Sequence, residues 1–349
     1  MLFFVQGLIY QEELKKPLLP LQTCFLKRVS LIILAETTES FYPLNQNISV
    51  VQLQLNFGIG GGGNFITRKL AFFTGINSLK KKLQNLSPDF IVTTEYVFTV
   101  AAYYGRNENA KLASWEHHHF YHLPKSKLWK FLSAKVYPRT DKVICLNVEE
   151  ASFFERINCK TTVIPNFVDD STRAAPLTEK RLLTIGWLSK TKGADLIPKI
   201  AASVFKRHPD WRWRIIGEGS ELSSLQEQPN IEVVKPSSPS IVNEYLNASV
   251  YVLPSRYECF PLVLLESMSV GVPCVAFNCP TGPKHIITDG IDGLLVEKEN
   301  VEAMAHAIIG LIEDKERRMQ LGSNASENIK RFSAESSFQL WQKWFETNF

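Results

Sequence analysis

Short apolar runs alternate along the chain with longer stretches in which apolar residues recur at helical spacing. In the first half, the short runs that predict strands are Leu2–Val5, Val29–Leu34, Val50–Leu55, Phe90–Thr93, Leu112–Trp115 and Lys142–Leu146. The amphipathic stretches Phe65–Leu86 and Leu128–Tyr137 predict helices between some of these strands. Strands that alternate with helices indicate a parallel sheet with helices on both faces.

The second half of the chain repeats this pattern. Its predicted strands are Arg181–Ile185, Trp213–Ile216, Ile231–Val234, Val250–Leu253, Cys274–Phe277 and Gly293–Val296. Its predicted helices are Ala194–Arg207, Ser220–Gln226, Ser240–Asn247, Pro261–Val270 and Val301–Asp314. The stretch Ile164–Thr178 between the halves contains Pro, Asn, Asp and Ser and precedes a new strand, which is typical of a linker.

We therefore predict an α/β protein of two Rossmann-like domains, residues 1–170 and 171–331, whose parallel sheets face each other across a central cleft. Ligands of open α/β sheets bind at the carboxyl ends of the strands, which would place a ligand between these domains. The tail Phe332–Phe349 has apolar residues at roughly helical spacing. This terminal helix either packs back on the first domain or closes the second.

Composition and charge narrow the class of protein. The chain has 349 residues, more than one core normally serves, and its 45% hydrophobic content is ordinary for a globular protein. The net charge is +4 and the basic residues are spread along the chain, which does not favour a nucleic-acid-binding protein. An anionic small ligand and an anionic membrane surface would suit this charge equally well. No C-x-x-C pair occurs among the six cysteines, so we expect free thiols in a reducing cytoplasm. We expect neither a signal peptide nor a membrane-spanning helix, and hence a cytoplasmic or peripherally membrane-bound protein.

Two carboxylates, Glu258 and Glu266, fall within the predicted strand–loop–helix unit Tyr251–Pro273. We place Glu258 in the loop and Glu266 in a helix that begins near Pro261. The unpaired N–H groups at this helix start, which attract phosphate, belong to Phe260, Leu262 and Val263. Carboxylates accept hydrogen bonds from sugar hydroxyls, so the unit suits a nucleoside diphosphate sugar. On spacing alone, a helix with two surface glutamates is the favoured interpretation.

The same residues resemble the signature of family 4 retaining GT-B glycosyltransferases, P-S-x-x-E-G-F-P-x-x-x-x-E-A-M-x-x-G-x-P-V-V. The chain reads Pro254-Ser-Arg-Tyr-Glu-Cys-Phe-Pro261, then Glu266-Ser-Met268, then Gly271 and Pro273. Cys259 stands where relatives have a Gly that lets the backbone approach the donor closely.

The resemblance extends over nearly the whole second half. Gly186-Trp-Leu-Ser-Lys-Thr-Lys-Gly193 is similar to G-R-L-x-x-x-K-G, whose Arg and Lys grip the donor diphosphate in relatives. Lys192 is retained, whereas Trp187 replaces the Arg, which is the better bidentate phosphate partner. Lys190 is a candidate substitute for that Arg. His285 stands where many relatives have Glu.

The resemblance implies a retaining transfer without a metal ion or cofactor, from a nucleoside diphosphate sugar, UDP-sugar favoured, to a hydroxyl of a lipid-linked or saccharide acceptor. Hexosyl or N-acetylhexosaminyl transfer in polysaccharide or lipopolysaccharide biosynthesis fits best. Glu258 would contact the transferred sugar and Glu266 the ribose, and Lys192 would stabilise the leaving diphosphate. The further donor-binding candidates are Gly186, Trp187, Lys190, Arg256, Cys259, Phe260, Pro261, Leu262 and Val263.

The first half offers weaker candidates. Three adjacent histidines follow the strand that ends at Trp115, but neighbouring positions on a strand alternate faces, which disfavours a metal site. The resemblance makes His117 a candidate catalytic residue that faces the cleft, and Glu116 a candidate on the acceptor side. The alternative is that both are polar loop residues. Gly7, in the first βα turn, is a second acceptor-side candidate. The glycine run Gly58–Asn64 lacks the dinucleotide-binding spacing and favours a flexible loop.

Two questions stay open from the sequence. Lys125, Lys127, Lys130 and Lys135, with Lys80–Lys82, form either a basic surface for anionic lipid head groups or an ordinary solvated helix face. The chain is either an active glycosyltransferase or a catalytically impaired relative that acts as a nucleotide-sugar-binding or scaffold partner. Trp187 and Cys259 support the second option. A Rossmann dehydrogenase would need a fingerprint that the chain lacks.

Overall fold

A computed structural model describes residues 2–5, 32–35, 49–52, 65–121, 125–169, 171–226, 228–236 and 241–348. The chain divides into two compact units, Met1–Ile164 and Pro165–Phe349. The division falls at the start of the linker segment and six residues before the predicted boundary after residue 170. Gly7 and the glycine run Gly58–Asn64 lie outside the described residues.

Unit 1 is built on a parallel sheet of seven strands. These are β1 (Leu2–Val5), β2 (Ile32–Ala35), β3 (Ser49–Gln52), β4 (Phe90–Thr93), β5 (Lys111–Trp115), β6 (Lys142–Cys145) and β7 (Thr161–Val163). They lie in the order β3-β2-β1-β4-β5-β6-β7. The helices are α1 (Phe65–Leu86), α2 (Tyr96–Gly105), α3 (Lys127–Val136) and α4 (Val148–Glu155), and a 3-10 turn spans Tyr137–Arg139.

Unit 2 has a parallel sheet of six strands. These are β8 (Arg181–Ile185), β9 (Arg212–Ile216), β10 (Ile231–Val234), β11 (Val250–Leu253), β12 (Cys274–Asn278) and β13 (Gly293–Glu297), in the order β10-β9-β8-β11-β12-β13. The helices are α5 (Ile197–Arg207), α6 (Leu222–Gln226), α7 (Ile241–Leu246), α8 (Leu262–Ser269), α9 (Val301–Glu313), α10 (Lys315–Asn328) and α11 (Ala334–Asn348). Short 3-10 turns span Ala194–Leu196, Gly282–His285 and Ile329–Phe332.

The burial of the strands follows from this topology. A parallel sheet covered on both faces buries every side chain of a central strand, which is why Val250–Leu253 is a continuous apolar run. Helix α5 shows the complementary pattern: Ile197, Ile200, Ala201 and Val204 share one face and are buried. Its basic residues Lys206 and Arg207 occupy the last turn, where cations favour the helix dipole.

Some predicted elements needed correction. Helix α2 was missed because it is buried nearly all round and is therefore apolar throughout, with no helical period to detect. Helix α10 was missed for the opposite reason: it is mostly polar, and Asp314 caps it by accepting from the Arg317 N–H. Pro261 is the N-cap of α8 and not part of the helix. The terminal helix α11 belongs to unit 2, and its packing on the first domain stays a prediction.

Candidate active site

Three loops of unit 2 meet at the carboxyl ends of neighbouring strands. They follow β8, β11 and β12 and contain Gly186–Gly193, Pro254–Pro261 and Cys279–Gly282. The strand order reverses between β8 and β11, since the chain runs outward from β8 to β10 and then returns to the other side of β8. Doubly wound sheets bind their ligands at such a switch point.

Lys192 and Glu258 form an ion pair at this point. The Lys192 Nζ donates to Glu258 Oε1 at 2.9 Å and to Oε2 at 3.0 Å. The Glu258 side chain is buried, whereas that of Lys192 is partly exposed. Because one ammonium bridges both carboxylate oxygens, a single cation both neutralises Glu258 and holds its orientation. The structure thus brings together two residues that were predicted as catalytic.

Close backbone contact joins the loops that carry these two residues. Gly193 has a φ of +72°, and a Cβ there would lie 1.8 Å from the Pro254 carbonyl oxygen, so only glycine fits. The Arg256 backbone N–H donates to the Thr191 carbonyl oxygen at 2.9 Å. The position of Lys192 relative to Glu258 is therefore set by the main chain.

Arg256 braces this arrangement, and its donor-binding role stays a prediction. Its guanidinium donates to Asp195 Oδ1 at 2.6 Å and Oδ2 at 3.0 Å, to Glu299 Oε1 at 2.5 Å, and to the Lys190 carbonyl. These carboxylates raise the pKa of Arg256, whose hydrogen bonds in turn lower the pKa of Asp195. Two carboxylates already neutralise this guanidinium, so it is poorly suited to grip a diphosphate as well.

Trp187 and Lys190 lie on the loop after β8. The Trp187 side chain is 62% exposed, which is unusual for so large an apolar group. The preceding residue, Gly186, has a φ of +150°. Lys190 is exposed as well, and its carbonyl oxygen accepts from Arg256. Trp187 therefore supplies an exposed aromatic surface where relatives of similar sequence have a cation.

Cys259 and the residues after it form the start of helix α8. Cys259 is buried and its φ is not positive, so this backbone accommodates a side chain where the family signature has Gly. The first helical hydrogen bond runs from the Leu264 N–H to the Pro261 carbonyl oxygen at 3.1 Å. The amides of Leu262 and Val263 precede it and, as in any helix, have no partner within the helix. Such amides suit an anion.

Glu266 lies one turn further along α8 and is half-buried. Its Oε2 accepts a hydrogen bond of 2.7 Å from the Tyr245 hydroxyl of helix α7. Sequence reasoning missed Tyr245, because no spacing rule relates two residues on different helices. The hydroxyl fixes one carboxylate oxygen, which orients the group for hydrogen bonds from a ligand.

We expect Glu266→Ala to weaken binding of a nucleoside diphosphate at least tenfold, because two ribose hydroxyls would lose a charged acceptor, worth roughly 1.4 kcal/mol or more. Isothermal titration with UDP measures this. Glu302→Ala, an exposed glutamate on α9, serves as the control and should bind like the wild type. Equal affinity of the Glu266→Ala and wild-type proteins would contradict the assigned role.

In unit 1, His117 is buried immediately after β5. Its ring lies 4.5 Å from that of Trp115, and neither ring nitrogen has a hydrogen-bond partner among the described residues. Burial lowers the pKa of His117 to about 3, and His118 adds to the effect. The imidazole is therefore neutral at physiological pH.

This burial predicts a pH-dependent stability. Unfolded His117 binds a proton near pH 6.5 and the folded residue only near pH 3, so the free energy of unfolding falls as pH drops through 6.5. Between pH 7.5 and 5.5 the loss should be about 1.4 kcal/mol. Urea denaturation of wild type and His117→Leu isolates this contribution, since other titrating groups cancel. Identical pH dependence in both proteins would contradict it.

Glu116 lies in a buried hydrogen-bond network, and its acceptor-side role stays a prediction. Its carboxylate is buried and accepts from Ser114 Oγ at 2.5 Å and from the Tyr137 hydroxyl. The strand-like alternation continues past Trp115, so Glu116 lies on the same side as Ser114 and joins a hydroxyl network that includes Thr99. This network holds the segment that carries His117.

The three histidines diverge, as the alternation argument predicted. His118 Nε2 lies 4.0 Å from a Glu95 carboxylate oxygen, and His119 Nε2 lies 3.8 Å from Glu150 Oε1. Among the residues that the structure describes, no group of three or more His, Cys, Asp and Glu side chains could hold a metal ion.

The lysines between Lys125 and Lys135 differ in their exposure. The Lys125 ammonium lies 4.6 Å from the ring centroid of Tyr96 and 5.6 Å from that of Tyr137, and burial lowers its pKa. It therefore packs against the rings of unit 1 and does not contribute to a basic lipid-binding surface, which was one of the two interpretations of the sequence. Lys127, Lys130 and Lys135 are exposed on α3. No helix in the described ranges is long and apolar enough to cross a membrane.

Comparison with known proteins agrees with this geometry. Residues 169–328 match the group 1 glycosyl transferases, and residues 52–172 match Glycosyltransferase Family 4. An uncharacterised glycosyltransferase of Haemophilus influenzae is 27% identical over 78% of this chain and 81% of its own length. Several longer relatives are matched over less than half of their own length.

Two further similarities cover nearly the whole chain. The Campylobacter jejuni alpha-1,4-N-acetyl-D-galactosaminyltransferase named for a GalNAc–GalNAc–diNAcBac-PP-undecaprenol acceptor is 27% identical over 89% of this chain and 88% of its own length. The crystal structure of Anabaena HepE in complex with UDP-glucose has a TM-score of 0.78 at 17% identity and covers 99% of both chains, which shows the GT-B fold. The chain belongs to the family 4, or group 1, glycosyltransferases, whose two family models together match residues 52–328.

Proposed function

We propose that the chain is a retaining, metal-independent glycosyltransferase that moves a hexosyl or N-acetylhexosaminyl group from a UDP-sugar to a hydroxyl of a lipid-linked or saccharide acceptor. The product would belong to a surface polysaccharide or lipopolysaccharide. The observation that carries this proposal is the Lys192–Glu258 ion pair at the switch point of the unit 2 sheet. It places one cation and one carboxylate together where a charged, hydroxyl-rich donor is expected.

Different groups of the site would bind different parts of the donor. The Lys192 ammonium and the first amides of α8 would bind the diphosphate, since both offer N–H donors and positive charge. Glu258 would accept hydrogen bonds from hydroxyls of the transferred sugar, and Glu266 from the ribose. A UDP donor is supported by the UDP-glucose complex of HepE, and a lipid-linked acceptor by the name of the Campylobacter relative.

Sugar transfer requires stabilisation of the leaving diphosphate. As the glycosidic bond breaks, negative charge grows on the phosphate oxygen, and Lys192 with the helix amides can stabilise it without a metal ion. The negative Glu258 carboxylate suits the positive charge that develops on the sugar ring. His117, which is neutral and lies in unit 1, would exchange a hydrogen bond with an acceptor hydroxyl.

A second candidate function rests on Trp187. An exposed indole cannot replace a guanidinium at a diphosphate, so a nucleotide-sugar-binding or scaffold protein with impaired transfer is the alternative. Binding of a nucleotide sugar without release of nucleoside diphosphate, with any acceptor supplied, would favour it.

A panel of UDP- and GDP-sugars tests the proposal by thermal shift. A ligand at about 100 times its dissociation constant stabilises the folded state by about 2.7 kcal/mol, which raises the melting temperature measurably. We expect one or a few UDP-sugars to shift the melting temperature and to be turned over slowly to UDP. No shift with any member of the panel would exclude both functions.

We also propose that α3 attaches the protein to the inner face of the cell membrane. Phe131 is 66% exposed and Leu128 41% exposed, and both lie between the exposed Lys127, Lys130 and Lys135. Apolar side chains flanked by lysines suit an anionic lipid surface, at about 1 kcal/mol for each lysine.

Replacing Lys127, Lys130 and Lys135 by Ala should weaken binding to vesicles that contain anionic lipid at least tenfold. Flotation with phosphatidylglycerol vesicles measures it, and neutral phosphatidylcholine vesicles should bind poorly. The control removes the same charge elsewhere, through Ala at the exposed Lys199, Lys206 and Lys315. Equal losses of vesicle binding in both triple variants would show that binding depends only on net charge, and would contradict a specific α3 surface.

A further inference from the structure

The segment that follows β12, Cys279–Gly282, holds the main chain of Glu258 and Cys259. The Thr281 hydroxyl donates to the Glu258 carbonyl oxygen at 2.5 Å. The Gly282 N–H donates to the Cys259 carbonyl oxygen at 3.0 Å. The carbonyl oxygens of Glu258 and Cys259 are thus both bound by this one segment.

The segment Cys279–Gly282 packs tightly against Glu258. Gly282 has a φ of +42°, and a Cβ there would lie 2.7 Å from the Cβ of Glu258. A substituted Gly282 would therefore push directly on the residue that carries the carboxylate. The contact is made at the base of the side chain, so small backbone shifts pass directly to the carboxylate.

Thr281, which donates to the Glu258 carbonyl oxygen, has an unusual backbone conformation. It is fully buried, with a φ of 60° and a ψ of −143°. For a β-branched residue a positive φ is a true outlier, because Cβ meets the neighbouring carbonyl oxygen. Such strain persists only where the surrounding structure imposes it, and it is concentrated at active sites. Here the strained residue is the one that donates to Glu258.

We propose that Thr281 is a positioning residue for sugar transfer: its hydroxyl, carried on a strained backbone, sets where the Glu258 carboxylate meets the donor sugar. This inference rests on the proposed transferase function. Reactive geometry tolerates little error, and a displacement of about 1 Å at a catalytic group can cost about 100-fold in rate. Thr281 would act on the rate and not on the affinity for the nucleoside diphosphate, which Lys192 and the helix amides would bind.

The test compares three substitutions. Thr281→Val keeps the branched shape and removes the hydroxyl, Thr281→Ser keeps the hydroxyl, and Thr281→Gly removes the side chain but adopts the same φ without strain. The control is Thr184→Val, which also removes a buried hydroxyl that donates to a carbonyl, that of Val252 at 2.7 Å. The measurements are kcat with the preferred UDP-sugar, the dissociation constant for UDP, and hydrogen–deuterium exchange of the peptide 254–261.

We expect Thr281→Val and Thr281→Gly to lower kcat at least tenfold, with UDP affinity within twofold of wild type and faster exchange in 254–261. Thr281→Ser should keep kcat within threefold, and Thr184→Val should lower the melting temperature without this loss. Thr281→Gly decides the matter if the Val variant does not fold. A kcat within twofold of wild type, or UDP affinity that falls in parallel with kcat, would overturn the proposal. If the wild type binds no UDP-sugar, the proposed function fails, and the exchange data still show whether Thr281 holds the Glu258 segment.

Discussion

Replacing Glu258 by Gln is expected to lower sugar transfer at least 100-fold and, at the same time, to tighten binding of the free nucleoside diphosphate. Loss of transfer follows because a neutral amide cannot stabilise positive charge on the sugar ring, and removal of one such preorganised group typically costs roughly 10²–10³ in rate. The tighter binding follows from the ion pair. Lys192 Nζ now bridges both Glu258 oxygens, so a diphosphate must compete with a carboxylate for it.

The size of the second effect can be bounded. Releasing Lys192 from a half-buried pair should return about 1.4 kcal/mol, or about tenfold in UDP affinity. Initial rates and isothermal titration with UDP measure the two quantities separately. Glu302→Gln, on the exposed face of α9, is the matched control and should change neither. Weaker UDP binding by Glu258→Gln than by the wild type would show that Glu258 and the diphosphate do not compete for Lys192.

Gly193→Ala is expected to have a comparably large effect through the backbone. The added Cβ would lie 1.8 Å from the Pro254 carbonyl oxygen and 2.7 Å from its carbon, at a φ of +72°. Backbone atoms cannot give way as a flexible side chain can, so the loop that carries Lys192 must move away from the loop that carries Glu258. We expect a stability loss of roughly 3 kcal/mol or more and loss of detectable UDP binding.

A second glycine provides the control. Gly310 lies near the end of α9, and a Cβ added there meets no atom within 4 Å. Gly310→Ala should stabilise the protein by up to about 1 kcal/mol through helix propensity and leave UDP binding unchanged. Thermal melts of both variants measure the stabilities. Normal UDP binding by Gly193→Ala would contradict the close loop contact.

The elements were predictable where their physical pattern is local. The strands Phe90–Thr93, Arg181–Ile185 and Val250–Leu253 follow from short apolar runs alone, and the alternation of strands and helices indicates parallel sheets. Helix α2 was missed because burial of nearly all of its residues removes the periodicity on which detection depends. Element type was therefore predictable except where a helix is apolar throughout, as in α2, or mostly polar, as in α10.

The candidate site was likewise predictable only in part. Glu258, Glu266 and Lys192 were found through resemblance, and the structure shows that Lys192 and Glu258 meet although 66 residues separate them. The ion pairs of Arg256 with Asp195 and Glu299 were not predictable, because these partners are distant in sequence and a motif does not show that a cation is already neutralised. Partners distant in sequence leave no spacing signal. The same reason hides the contact between Thr281 and Glu258.

UDP binding to wild type and to Lys192→Met tests the central claim, that the loops after β8 and β11 form a nucleoside diphosphate site. Met keeps the length of the side chain and removes its charge, so packing changes little. Isothermal titration at low salt should show UDP binding to the wild type and an affinity at least tenfold weaker for the variant. Equal affinities in the two proteins, or no binding of UDP to the wild type, would contradict the account.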